Sequence, residues 1–188
     1  MKISRVWAMP NKWTFTIKPI KQLLAREVGD SLFMNGLWCD PFGGENSPAQ
    51  ITNDLNPNRP TKFHMEALDF LKEQPSEKYD GVLFDPPYSP SQVKECYEGI
   101  GAKTVADNTR MGFWSKCKDE IKRITKFNGK VICFGWNSMG MGKKRGFIMQ
   151  EILLVPHGGS KNDTIVTVEI KTFPEYLKEK MGNGENKL

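Results

Sequence analysis

The sequence predicts an α/β fold, a doubly wound, mostly parallel sheet finished by an antiparallel C-terminal hairpin. Three observations carry that expectation. The runs 81 to 84 and, after Lys130, 131 to 134 are continuously apolar, as strands buried on both faces are. Stretches of helical periodicity precede and separate them, which is the alternation a parallel sheet needs. Finally, 147 to 155 and 164 to 170 are rich in β-branched residues and are joined by His157-Gly158-Gly159-Ser160, the pattern of an antiparallel pair.

In chain order, 14 to 28 reads as a polar entry and then a helix. Ile17, Ile20, Leu24 and Val28 recur on one face, with Leu23 beside them and Pro19 near the first turn. Residues 31 to 39 lead into a buried strand ending at Asp40. Ile51 to Asp54 is a second short strand, closed by Asn56-Pro57. Met65 to Lys72 is helical, with Met65, Leu68 and Leu71 on one face. The strand 81 to 84 follows. Ser89 to Met111 reads as loop. Phe113 to Phe127 is a helix with Trp114, Cys117, Ile121 and Ile124 on one face, capped by Asn128-Gly129 ahead of the strand 130 to 134. His157, in the hairpin turn, is expected at the surface. Residues 1 to 176 are expected to form one domain, and 177 to 188 a polar, disordered tail.

At 188 residues the chain has room for one domain with a sizeable core. Hydrophobic residues are 38% and charged residues 26%, a soluble, globular balance. No run approaches the ~18 apolar residues of a membrane span, and the N-terminus lacks the apolar core of a signal peptide. Cys39, Cys96, Cys117 and Cys133 are widely spaced with no CxxC pair. Reduced, buried thiols in a cytoplasmic protein are the simplest account, and two histidines argue against a zinc site. The net charge of +5 suits a polyanionic partner. Lys143-Lys144-Arg145 is the one basic triplet, and it reads as a solvated loop, with a phosphate contact as the alternative.

The chemistry concentrates at strand ends. Asp85-Pro86-Pro87-Tyr88 closes the run 79 to 84. Its prolines lack N–H groups and fix φ, so pairing stops and the chain becomes a stiff, extended corner. That corner projects a carboxylate, backbone carbonyls and an aromatic face from the sheet edge where α/β folds bind ligands. Such a site can grip a planar exocyclic amine. Asp85 and the Pro86 carbonyl accept its two hydrogens, and Tyr88 stacks on the ring. The plainer reading is an ordinary strand-ending turn. Asp40-Pro41-Phe42-Gly43-Gly44 ends an earlier strand, with glycines that let backbone approach a ligand closely. Asp54, after the next strand, stands where a carboxylate can accept both hydroxyls of a ribose. A turn and a helix cap are the plainer readings of these two.

The strand-end Asp-Pro-Pro-Tyr resembles motif IV of the S-adenosylmethionine (AdoMet)-dependent amino-methyltransferases, above all those acting on adenine N6. Asp40 to Gly44 resembles motif I, which wraps the methionine part of AdoMet. Asn53-Asp54-Leu55-Asn56-Pro57 resembles motif II, with Asp54 on the ribose and Leu55 beside it. Glu66-Ala67 resembles motif III, in which an acidic residue before alanine reads the cofactor adenine. Phe15-Thr16-Ile17-Lys18-Pro19 resembles motif X, which closes over the methionine end; an ordinary helix start is its plainer reading. The order X, I, II, III, IV along about residues 7 to 172 is similar to the small adenine-specific DNA methyltransferases of phages and mobile elements. The resemblance implies the class I methyltransferase fold, AdoMet as cofactor, no metal, and Asp85, Pro86, Pro87 and Tyr88 as the catalytic segment. Tyr88, Ser89, Trp136 and Asn137 would meet the target base. Core packing is the plainer role for Trp136.

Two departures stand out. Motif III normally has aspartate where this chain has Glu66. Only Gly43 to Gln50 separates motif I from the second strand, so the usual first crossover helix is expected to be reduced to a turn and the pocket to be open on that side. The resemblance makes double-stranded DNA, with the base swung out, the expected substrate. No stretch is long enough for a target-recognition domain, which leaves room for a separate partner that reads sequence. Other function classes compatible with the residues are a methyltransferase on another amine (cytosine N4, an RNA base, a protein amide) and a non-catalytic module that binds AdoMet or nucleic acid.

Overall fold

The computed structural model describes residues 1–101, 111–159 and 162–173. Strands are β1 (Lys2–Arg5), β2 (Trp38–Asp40), β3 (Ile51–Thr52), β4 (Tyr79–Phe84), β5 (Thr125–Gly135), β6 (Phe147–Val155) and β7 (Thr164–Lys171). Helices are α1 (Lys18–Phe33), α2 (Ala67–Glu73), α3 (Pro90–Glu98) and α4 (Met111–Ile124). The strands form one sheet in the order β1-β6-β7-β5-β4-β2-β3. Pairing is parallel through β3, β2, β4 and β5; β7 runs antiparallel to both β5 and β6. The expected α/β fold, with its C-terminal hairpin, is what the chain adopts.

Alternating side chains explain why the central strands are apolar without a break. Val82 and Phe84 of β4, with Val131 and Cys133 of β5, pack on α2 and α4; Leu83, Ile132 and Phe134 point the other way. There they meet Ile17, Ile20, Leu23, Leu24 and Val28, the predicted face of α1. A sheet sandwiched in this way has no polar face to spare. Cys39, Cys117 and Cys133 are buried free thiols, and Cys96 is exposed.

Four expectations need correction, and one strand is new. The strand sought in 31 to 39 is only Trp38–Asp40, because α1 continues to Phe33 and Asn35 ends it at φ 60°. The expected loop after Ser89 contains α3. Ser89 accepts from Gln92 N, the Gln92 side chain returns to Ser89 N, and Pro90 is the first helical residue. That is a Ser-x-x-Gln capping box, a signal present in the sequence. Asn128-Gly129 does not cap α4, which ends at Ile124; the pair lies inside β5, where the register against β4 shifts and Asn128 takes φ 60°. His157 is buried at 7% exposure, with Nδ1 2.9 Å from Ala8 O and Nε2 2.9 Å from Thr164 Oγ1. Its ring ties the approach from β1 to the start of β7. Lastly, β1 went unforeseen and pairs parallel with β6 at the sheet edge. The polar tail, from 177 on, lies outside the described residues, as do residues 102 to 110 of the 89 to 111 stretch. None of the described helices is long and apolar enough to cross a membrane.

Candidate active site

Sheet order places the site. From β2 the chain steps outward to β3, then returns past β2 to β4. The loops leaving β2 and β4 therefore diverge, and a crevice opens at their carboxyl ends. A cavity of about 510 Å³ lies there, inside the roughly 300–1,000 Å³ range of ligand sites. Asp85 to Tyr88 form one side of it and Pro41 to Gly44 the other.

The β2–β3 crossover has no helix, as the short spacing required. Asp40 organises it instead. Fully buried, it accepts from Phe42 N at 2.9 Å and from Ser47 Oγ at 2.6 Å. Burial pushes its carboxyl up to about 7, against these two bonds, with Asp85 and Asp54 adding to the rise. Asp40 thus supports the loop from beneath and does not line the cavity. Asp54 does: Oδ2 accepts from Gly44 N at 3.1 Å and Oδ1 from Asn56 N at 2.8 Å. Those bonds leave about half of a carboxylate's roughly four acceptor positions for a ligand. Phe42 packs edge-on against Phe84 and Trp114, at 5.8 and 5.9 Å between ring centroids. One aromatic wall is shared by the two loops.

Asp85 is half-buried, and its Oδ1 accepts from the Tyr88 hydroxyl, with Thr14 as a second donor. Burial pushes it up to about 6, although both hydrogen bonds favour the carboxylate. Burial, and then the Asp85 charge, push the Tyr88 phenol well above its ordinary value. Gln92 fixes the corner's far end: its Oε1 accepts from Tyr88 N at 2.7 Å and Ser89 N at 3.2 Å.

On the side the missing helix leaves open, a strap replaces it. The Trp13 ring has the Lys12 ammonium and the Arg59 guanidinium each 4.8 Å from its centroid, and Arg59 is paired with Glu45. Opposite, Glu66 caps α2 through Ala67 N and accepts from the Tyr97 hydroxyl of α3. Phe113 and Trp114, at the start of α4, complete the enclosure.

Of the residues singled out by sequence, Phe15, Leu55 and Ala67 also line the cavity. Thr16 and Lys18 do not: Thr16 Oγ1 donates to Trp13 O at 2.8 Å, and Lys18 is exposed at the start of α1. Ser89 is spent on the α3 cap. Trp136 stands outside the lining, 42% exposed, with its ring 5.7 Å from that of Tyr88; Asn137 accepts from Met139 N at 3.0 Å in a local turn. Sequence reasoning missed Trp13, Thr14, Arg59 and Tyr97. Trp13, Arg59 and Tyr97 showed only an aromatic or basic character outside the motifs and Thr14 no signal, since it is folding that brings 13, 45 and 59 together.

Comparison with solved structures agrees with this architecture. The chain superposes on 1,6-didemethyltoxoflavin-N1-methyltransferase from Burkholderia thailandensis, bound to 1,6-didemethyltoxoflavin and S-adenosylhomocysteine. The TM-score is 0.55 at 11% identity, over 83% of this chain and 78% of that one. It is similar to yhhF from Escherichia coli, with TM-score 0.54 and 9% identity over 88% and 91% of the two chains. It is also similar to TrmN from Thermus thermophilus (TM-score 0.52, 17% identity, 85% of this chain), of whose length it spans half. No protein-family model and no curated protein matches the sequence. At these identities the likeness is one of backbone path, and it shows that the chain has the Rossmann-like fold of the class I methyltransferases.

Proposed function

We propose that the protein is an AdoMet-dependent methyltransferase acting on the exocyclic N6 of adenine in DNA. The observation that carries this reading is the shared cavity: the loop after β2 and the Asp85-Pro86-Pro87-Tyr88 corner leave the same sheet edge and face each other across it. The donor set suits AdoMet. Five carboxylates (Glu45, Asp54, Glu66, Asp85 and Glu95) line the cavity against two cations, Lys12 and Arg59, and welcome a ligand bearing a sulfonium and an ammonium. In this reading Asp54 holds the ribose, Glu66 and Ala67 the cofactor adenine, and Pro41 to Gly44 with Phe15 the methionine end. When bound, AdoMet supplies the activated methyl group.

The chain's own residues solve the remaining problem, a poor nucleophile. The lone pair of an exocyclic amine delocalises into its ring. Accepting one N–H at Asp85 and the other at the Pro86 carbonyl draws the nitrogen toward sp³ and localises that pair. Holding it in place adds orientation, worth several kcal/mol of barrier. With its titration displaced to about 6, Asp85 is ionised at neutral pH yet close enough to take up the proton the nitrogen sheds. Tyr88 offers the stacking face for a base swung out of the helix, and Trp136 extends that surface outward.

Incubating DNA with the protein and labelled AdoMet, then separating nucleosides by mass spectrometry, tests this. N6-methyladenine is expected. Asp85→Ala should lose product formation while retaining AdoMet binding by calorimetry. A different methylated product would redirect the substrate assignment, and AdoMet binding without any product would leave a silent binding module.

A further inference from the structure

A second concavity, of about 270 Å³, lies at the opposite rim of the sheet. The end of α4, the start of β5, the turn Lys143–Arg145 and the end of β7 meet there. Five cations line it, Lys122, Lys143, Lys144, Arg145 and Lys171, and none of the described lining residues is acidic. Asp119 pairs with Arg145 at 2.7 Å and Glu77 with Lys171 at 3.6 Å. Lys122, Lys143 and Lys144 have no ion pair among the described residues. Three charges that no described residue pairs thus crowd one hollow in a chain whose whole excess is +5.

The hollow has a fixed floor. Lys171 is buried, and its Nζ donates to the carbonyls of Lys122 at 2.9 Å and Thr125 at 2.6 Å. Beside it, Phe127 and Phe173 stack face to face, centroids 4.2 Å apart and 8° from parallel, although both are exposed at 38% and 51%. The Lys171 ammonium sits 5.0 Å from the Phe127 centroid. Crowded lysines call for an anion. A flat, exposed aromatic step beside them calls for a planar group attached to that anion. Nucleic acid supplies both: phosphate for the cations, base or sugar for the rings.

We propose that this hollow binds the backbone of a nucleic-acid strand, placing a phosphodiester among Lys122, Lys143 and Lys144 and a nucleoside against Phe127–Phe173. The site stands apart from the methyl-transfer reading, because none of its residues lines the first cavity. The two are nevertheless connected: α4 lines the first with Trp114 and the second with Lys122, eight residues or about 12 Å further along its axis. One bound strand can touch both.

Fluorescence anisotropy with a labelled 20-nucleotide single-stranded DNA tests the proposal. Lys143→Glu/Lys144→Glu should weaken binding at least tenfold and flatten the salt dependence by about 0.7 in log–log slope for each lost contact. Phe127→Ala should weaken it several-fold with the salt slope unchanged. Lys21→Glu, on the exposed face of α1, should change it less than twofold; thermal unfolding and AdoMet binding check that each variant is folded. Binding by the double variant within twofold of wild type would overturn the site. So would an equal loss from Lys21→Glu, which would reduce the effect to net charge. Competition by poly-glutamate as strong as by unlabelled oligonucleotide would overturn its assignment to nucleic acid.

Discussion

The Tyr88 hydroxyl donates to Oδ1 of Asp85, so the aromatic residue expected to stack on a substrate also steadies the carboxylate expected to grip it. This bond lowers a carboxyl that burial raises. The acceptor form is the carboxylate, so activity should be present above about pH 6 and be lost as pH falls through that value. Removing the hydroxyl in Tyr88→Phe should shift the inflection of kcat/KM to higher pH. The loss of rate should be greater at pH 6 than at pH 8. An inflection that stays put would show that the bond does not govern Asp85.

Asp40 makes the opposite kind of prediction, one about stability. Its carboxyl titrates near 7 in the fold and in the usual carboxylate range when unfolded, so the native state holds a proton the unfolded chain releases between those values. That contribution is fully present at low pH and disappears as pH rises through about 7. Asp40→Asn keeps an acceptor for Phe42 N and cannot ionise. Measured by urea unfolding, the variant should gain on wild type between pH 5 and pH 8 by about 1–3 kcal/mol, at about 1.4 kcal/mol per pH unit of displaced titration. A constant difference across that range would contradict the assignment.

Gly81 is pinned by its neighbour. It pairs with Trp38 across β2 and β4, and a Cβ there would fall 2.5 Å from the indole, which is fully buried and has nowhere to go. Gly81→Ala should therefore cost about 1–3 kcal/mol through overpacking, even though alanine is otherwise harmless in a strand. The melting temperature of the purified variant is the check; an unchanged value would mean that β2 and β4 can part.

The Trp13–Arg59–Glu45 strap should act on cofactor affinity rather than on chemistry. Arg59→Ala removes both the ring contact and the ion pair. Calorimetry should show AdoMet binding weakened about tenfold, while kcat at saturating AdoMet changes less than twofold. Arg59→Lys should recover only part of the loss, because an ammonium lacks the plane that lies on Trp13.

Much of this was written in the chain's local chemistry. The apolar runs ending at Asp40 and Asp85 gave the two strand ends, and ten residues between β2 and β3 excluded a full crossover helix. Helix α3 was legible too, in Ser89-Pro90-Ser91-Gln92, but the absence of a strong apolar stripe around Val93 hid it. Residues 1 to 5 offered no such handle. Lys2–Arg5 is mostly exposed and polar, and only the open edge of β6, 149 residues away, makes it a strand. His157 was misplaced for a related reason: its partners, Ala8 and Thr164, come together only in three dimensions.

That edge strand has a consequence for the order of assembly. Lys2 to Arg5 pair with Glu151 to Leu154, and Lys2 and Arg26 both reach Glu151, at 3.0 and 2.6 Å. A chain made from its N-terminus cannot form these contacts until β6 has left the ribosome. The residues of β1 wait for β6, and closing so long a loop is slow in building a sheet. Pairing at the rim that holds Glu151 therefore cannot precede the synthesis of β6.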